Sequence, residues 1–222
     1  VIVGIAKNAG AERRLFSENN TNTSGLTLEV KNSANINAYL IAGQNIIVAP
    51  LSRALDDRGL MEWGNKPTDG GNLLLSSDER ESLLHRSPDA SRFVKRFLGA
   101  QEFIRGQQRY CLWIEDIERE DAEAIPELKC RIEAVAKMRS ESKAAETRPA
   151  AAYPHRFRQI QSVAQKHTIA VAAISSENRD FLPVGLLPEG TIISNKLYAI
   201  YDAPLWNMAI IASRLHWVWI GT

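Results

Sequence analysis

The sequence has only two cysteines, Cys111 and Cys130, and neither stands in a CxxC pair or at metal-ligand spacing from a histidine. That excludes a disulfide framework and a cysteine zinc site, and predicts a reducing, cytoplasmic setting. Long hydrophobic runs are also missing. The longest, around Leu73 and Met208, fall far short of the ~20 apolar residues of a membrane span, so a soluble protein with no membrane partner is expected. Excess charge of one sign is absent too: 27 Lys and Arg stand against 26 Asp and Glu, a net charge of +1. A uniformly basic body is therefore excluded. The start, "VIVGIA", has neither an initiator methionine nor a signal peptide, and reads as part of a longer polypeptide.

Catalytic signatures are scarce. No GxGxxG, Walker or GxSxG motif occurs, and "GNKPTDGG" lacks the spacing of a phosphate cradle. The four histidines, His85, His155, His167 and His216, share no ligand spacing. Ser213 and His216 lie one helical turn apart, by chance as readily as by design, which leaves a small stand-alone enzyme as a third reading. No metal site, no cofactor site and no catalytic residue is assigned to this chain.

What the sequence does have is a core-forming composition, 45% hydrophobic over 222 residues. "VIVGIAKN", "RRLF", "LTLEV" and "NIIVAP" read as strands, with the polar residues 17–25 as a loop whose Asn-x-Ser/Thr triplets need not be glycosylated. "SSDERESLLHRSP" predicts a helix capped by Ser76 or Ser77, with acids in its first turn and Pro88 beyond its end. "SRFVKRFLG" reads as a second short amphipathic piece, and "RYCLWIE" as a central strand.

The longest helix opens at Pro126 with Leu128, Ile132, Val135 and Met138 on its apolar stripe; Arg139 and the other bases fall outside it. "ETRPAAAYP" reads as a linker. Three strands follow, "TIAVAAIS", "FLPVGLL" and "TIISNKLYAIYD", then a helix from Pro204 that is apolar nearly all round and so expected to be buried, with Trp113, Trp206, Trp217 and Trp219 assigned to the core. Strands and helices do not alternate regularly, which predicts an α+β fold with a mixed or antiparallel sheet rather than a doubly wound one.

Charge is unevenly placed. Residues 115–127 are strongly acidic, whereas between Glu146 and Glu177 there is no acid, only Arg148, Arg156, Arg158, Lys166 and two histidines. The stretch "AAISSENRDFLPVGLLPEGTIISNKLYAIYDAPLW" inserts Ser, Asn, Arg and Lys into runs that should be sheet. Such groups at strand ends suit base edges and phosphates, though polar turn residues are common everywhere. If the last run is one strand, Ile193, Asn195, Leu197 and Ala199 share one face and Ser194, Lys196, Tyr198 and Ile200 the other.

The succession "NINAYL", "GNKPTDGGNLLLSSDER", "FLGAQEFIRGQQRYCLWI", "RIEAVAKMRSESKAAETR", "ISSENRDFLPVGLL", "TIISNKLYAIYDAPLW" and "IIASRLHWVW" closely resembles the target-recognition region of MmeI-like enzymes, bacterial single-chain restriction-modification proteins of the type IIG/IIL kind. The resemblance runs from about Asn35 to the end. It implies residues 35–222 as a DNA target-recognition domain and residues 1–34 as the last strands, a short β meander, of an adenine methyltransferase domain. That domain would be the intramolecular partner, and would hold S-adenosylmethionine and an Asn-Pro-Pro-aromatic motif absent here.

The implied function is sequence-specific recognition of double-stranded DNA, positioning it for methylation elsewhere in the polypeptide. By position the resemblance implies base reading by Ser175, Asn178, Arg179, Asn195 and Lys196. Arg139, Lys143, Arg148 and Lys166 are expected on the DNA backbone, and Asn65, Asp69, Gly70 and Gly71 in a structural turn. The family's polypeptide continues past "SRLHWVW", so part of the specificity surface is expected outside this chain. The alternative is a protein-interaction module docking a partner through acidic residues 115–127.

Overall fold

A computed structural model of the chain describes Gly4, residues 12–21 and 25–45, Ile47, Ala49, and residues 59–176 and 178–220. The contacts divide it into two units, Val1–Arg53 together with Thr222, and Ala54–Gly221. In the first unit β1 (Arg13–Thr21) and β2 (Gly25–Ser33) form an antiparallel hairpin in which Phe16 pairs with Val30. Phe16, Leu28 and Val30 leave an exposed apolar face. "VIVGIAKN" lies outside the described residues apart from Gly4, as does most of "NIIVAP", whose described residues Asn45, Ile47 and Ala49 are not in a strand.

The second unit holds two four-stranded sheets and their helices. The first sheet is antiparallel, in the order β3 (Glu62–Trp63), β10 (Leu197–Tyr201), β7 (His167–Ala172), β8 (Val184–Pro188). The second runs β4 (Leu74–Leu75), β6 (Arg109–Leu112), β5 (Val94–Leu98), β9 (Ile192–Ile193), with the last pair parallel. An α+β fold with mixed and antiparallel sheets is therefore what this sequence forms. "RYCL" is interior to its sheet, as its aromatic and apolar content demands.

Helix α1 (Ser77–Arg86) starts in a capping box: the Ser76 hydroxyl accepts from the Glu79 amide, and the Glu79 carboxylate accepts from the Ser76 amide. Helix α4 (Pro126–Ser140), which follows the short helix α3 (Arg119–Glu123), packs Leu128, Ile132 and Val135 against Phe93, Leu112 and Phe157 in the largest core cluster. A second cluster joins the two sheets through Leu98, Ala170, Ile193, Leu197 and Ala199. A third lies under α5 (Trp206–Ala212), where Ile169, Val171 and Ile200 meet Ile211 and Met208. Among the described residues no helix is long and apolar enough to cross a membrane.

Several expectations need correction. "SRFVKRFLG" is not one amphipathic piece: Pro88–Phe93 is a 3-10 turn and Val94–Leu98 a strand, whose β-branched and aromatic residues pair with β6. "ETRPAAAYP" is not a linker. It forms a 3-10 turn, Arg148–Ala152, that buries Ala150 and lends its carbonyls to α4. "TIISNKLYAIYD" is not one strand, because residues 194–196 turn from the second sheet into the first, so the even alternation of faces breaks there.

The C-terminal helix is two short helices, α5 and α6 (Arg214–Ile220), separated at Ser213, whose hydroxyl accepts from the His216 amide as a cap. It is not buried either. Only the Met208–Ile211 side packs on the sheet, leaving Leu215 81% and Trp219 62% exposed. Trp206 is also exposed and so not core; Trp113 packs edge-on to Phe157, and the Trp217 indole donates to the Arg179 carbonyl.

Candidate nucleic-acid interface

The two sheets leave between them a cleft of about 1330 Å³. Its walls are supplied by Trp63, Gly64 and Pro67, the start of α2 (Ala100–Arg105), residues 158–161, Ala173 and Ile174 just after β7, and residues 194–196. The lining is rich in amide and cationic side chains: Gln101, Gln159, Gln161 and Asn195, with Arg109, Arg158 and Lys196 against one carboxylate, Glu102. Glu102 is itself paired with Arg109 at 3.3 Å, which leaves Arg158 and Lys196 as cleft cations without an ion pair among the described residues. On the apolar side stands Trp63, 49% exposed and stacked on Tyr198 with ring centroids 4.1 Å apart.

The cleft geometry follows from one short segment. After β3 the chain passes from the first sheet toward the second through Gly64, Asn65, Lys66 and Pro67. The Asn65 amide donates to the Ile193 carbonyl at 2.6 Å, and the Asn195 amide donates to the Asn65 carbonyl at 2.9 Å. On the other side Lys66 and Gln159 exchange backbone hydrogen bonds at 2.9 and 3.1 Å, and the Arg158 amide donates to the Pro67 carbonyl. One segment thus holds both polar walls. The 194–196 turn is further fixed by Ser194, buried, whose hydroxyl accepts from the Lys196 amide. That leaves Asn195 half-exposed and Lys196 exposed.

The residues expected from the sequence fall in three places. Asn195 and Lys196 line the cleft. Ser175, Asn178 and Arg179 do not; they follow Ile174, which does. Asn178 is exposed, Arg179 is half-buried with its carbonyl held by Trp217, and the Ser175 hydroxyl is buried with no partner among the described residues. Lys143, Arg148 and Lys166 are exposed, away from the cleft lining; Arg148 donates to the Ser142 carbonyl, and the Lys166 amide donates to Asp202.

Arg139 requires a correction. It is 0% exposed and inaccessible to a phosphate. Its five N–H groups donate to five carbonyls, those of Pro67, Thr68, Ala150, Tyr153 and Arg156, at 2.8–3.0 Å. Burial draws its pKa down and the nearby Asp69 opposes that. Asn65 is also 0% exposed. Asp69, buried, accepts from the Leu73 amide at 2.6 Å, and Gly70 and Gly71 take φ of 64° and 87°, which a side chain would strain. Gly70 lies against Met138, whereas Gly71 faces open space. Among the described residues no group of three His, Cys, Asp or Glu side chains is placed to hold a metal ion.

Arg158, Gln159 and Gln161 were missed as candidates, although "RFRQIQ" stands inside the acid-free stretch. The acidic segment, by contrast, spends four of its carboxylates on ion pairs within the domain. Asp116 accepts from His155 at 2.7 Å and pairs with Arg156 at 3.2 Å, Asp121 pairs with Arg92, Glu123 with Arg119, and Glu127 with Ser87 and Arg86.

His155 is 3% exposed, and burial pulls its pKa below the ordinary value despite Asp116. Its Nδ1 is buried with no partner among the described residues, so a second ring proton has nowhere to donate. Below the ordinary value, about 6.5, the unfolded chain takes up a proton that the folded chain refuses. Stability is thus expected to fall as pH drops from 6.5 toward the depressed folded value, and urea midpoints should show His155→Gln to be flatter across that window.

The chain thus forms an α+β domain whose sheets meet at a cleft of amides and cations, while the Ser213 hydroxyl and the His216 backbone amide form a helix cap. Residues 42–222 match the family described as MmeI, target recognition domain, and the chain belongs to that family. It is 35% identical over 187 residues to DNA methyltransferase A of Bacillus subtilis (strain 168), an alignment covering 84% of this chain and 21% of that protein. It is also similar to the solved type IIL restriction-modification enzyme MmeI in complex with DNA, with a TM-score of 0.74 and 30% identity, covering 92% of this chain and 27% of that one. The chain thus spans about a fifth to a quarter of the length of these relatives.

Proposed function

We propose that this chain is the sequence-reading part of a bacterial DNA modification enzyme, binding double-stranded DNA at the cleft between its two sheets. The observation that carries this reading is the Ser194–Asn195–Lys196 turn, set by backbone bonds at the rim of a cleft opposite Arg158, Gln159 and Gln161. Lys and Arg suit guanine acceptors, Asn and Gln suit adenine, and each bidentate contact discriminates against a wrong base by about 1–3 kcal/mol. Lys143, Arg148 and Lys166, all exposed, are assigned to the phosphates, and Ser175, Asn178 and Arg179 to a base contact beside the cleft.

The relatives' greater length and names support a methyltransferase domain on the same polypeptide, in which S-adenosylmethionine supplies the methyl group. The hairpin β1–β2 is assigned to that domain, with the division after residue 34. Two strands with a bare apolar face need a sheet to lie on. This chain's own residues bind and orient the DNA.

The test is the salt dependence of duplex binding by the chain. Counterion release requires the logarithm of the affinity to fall linearly with the logarithm of salt, at about one unit of slope per phosphate contact. Binding insensitive to salt would overturn the assignment.

A further inference from the structure

We infer that Gly64 and Asn65 are positioning residues for two base-reading segments, the 194–196 turn and residues 158–161: Gly64 seats the first, and Asn65 sets the spacing between the two. This rests on the DNA-reading assignment of the cleft, and its evidence is separate from it. Asn65 is buried, and its side chain bridges the segments: the amide nitrogen donates to the carbonyls of Ile193 at 3.2 Å and Ser162 at 3.3 Å, while the amide oxygen accepts from the Gln161 amide at 2.8 Å. Its backbone holds Ile193 and Asn195 as well. A side chain bonded to both walls sets the distance between them.

Gly64 acts on one wall only. A Cβ there would lie 2.5 Å from the Ile193 carbonyl oxygen and closer still to that of Ser194, both backbone atoms that cannot rotate away. Only glycine lets the two strands approach so closely. In Gly64→Ala the residues that must yield are those that aim Asn195 and Lys196, because the Gly64 amide is tied to the Leu197 carbonyl on the same wall. Residues 158–161 are held instead by Lys66 and Pro67.

The two substitutions therefore differ in which base pairs they affect. The experiment measures the affinity of the chain for its selected duplex and for a panel in which each base pair is replaced in turn. Lys196→Ala and Gln161→Ala first mark the pairs that depend on each wall. Gly64→Ala is expected to relax discrimination by about tenfold at the Lys196-dependent pairs and to spare the Gln161-dependent ones, whereas Asn65→Ala relaxes both sets.

A loss of stability alone lowers binding to every duplex evenly and leaves the pattern intact. If Asn65→Ala does not fold, Gly64→Ala decides alone. A Gly64→Ala profile that is unchanged, or weakened evenly at all positions, overturns the inference while leaving the cleft assignment standing. If Lys196→Ala and Gln161→Ala themselves leave the profile untouched, the cleft assignment falls first.

Discussion

Arg139→Met is expected to destabilise the chain severely, with the urea midpoint lowered by the equivalent of about 3–5 kcal/mol, the usual cost of breaking a buried charged network. The side chain has no exposed surface and satisfies five carbonyls at once. Methionine fills the volume and takes a donor from each: Pro67 and Ala150 keep the amides of Arg158 and Tyr153, while Thr68, Tyr153 and Arg156 are left with no donor among the described residues, each costing about 1–3 kcal/mol when buried. Against a total stability of about 5–15 kcal/mol that is a large fraction. Arg139→Lys does not rescue, because an ammonium carries fewer donors than there are carbonyls and lacks the planar fork that reaches segments on two sides.

The consequence extends to the cleft. Pro67 and Arg156, two of the carbonyls, flank the segments that hold Arg158 and Gln159 in place. Duplex binding should vanish together with the fold in denaturation and circular dichroism measurements. Were Arg139 a phosphate contact, its replacement would leave stability intact and reduce only the salt slope.

Lys196→Ala is expected to remove about 1–3 kcal/mol of discrimination, roughly five- to 150-fold in affinity ratio, at the base pair or pairs it reads. Lys196 is exposed at the cleft, and the turn beneath it is fixed by Ser194 and by the Asn65–Asn195 backbone bond, so truncation removes the contact without loosening the fold. The urea midpoint should stay within experimental error. Lys143→Ala gives a different signature: affinity for all sequences falls evenly, and the salt dependence becomes shallower by about one unit. Comparing duplexes that differ by one base pair separates the two, since a phosphate contact carries no sequence information.

Much of the architecture was legible because local and global signals agreed. The Ser76–Glu79 capping box, the Pro126 start of α4 and the aromatic-rich strand at Arg109 each carry their own local chemistry. The spread of motifs from Asn35 onward pointed to the family. What failed involved partners distant in sequence. Arg139 continues the buried stripe Leu128, Ile132, Val135 at helical spacing, yet its charge reads as an exposed helix end until the carbonyls of residues 67–68 and 150–156 are brought around it.

The run at residues 192–201 looks continuous because every residue but the middle three suits a strand; only the existence of two sheets explains why it turns at Ser194. Gln159 and Gln161 carry no charge to draw attention, and they enter the cleft through pairing with Lys66 and Asn65, almost a hundred residues earlier. The C-terminal pair of helices misled in the opposite sense, since a sequence apolar nearly all round promises burial and the sheet beneath covers one side.

The central claim is that the cleft between the sheets distinguishes base pairs. Incubating the chain with a pool of randomised duplexes at moderate salt and sequencing what it retains tests this most directly. The claim requires that a defined motif be enriched and that the enrichment change at particular positions when Lys196 is replaced. Retention with no preferred sequence, or a motif indifferent to every residue lining the cleft, would contradict it.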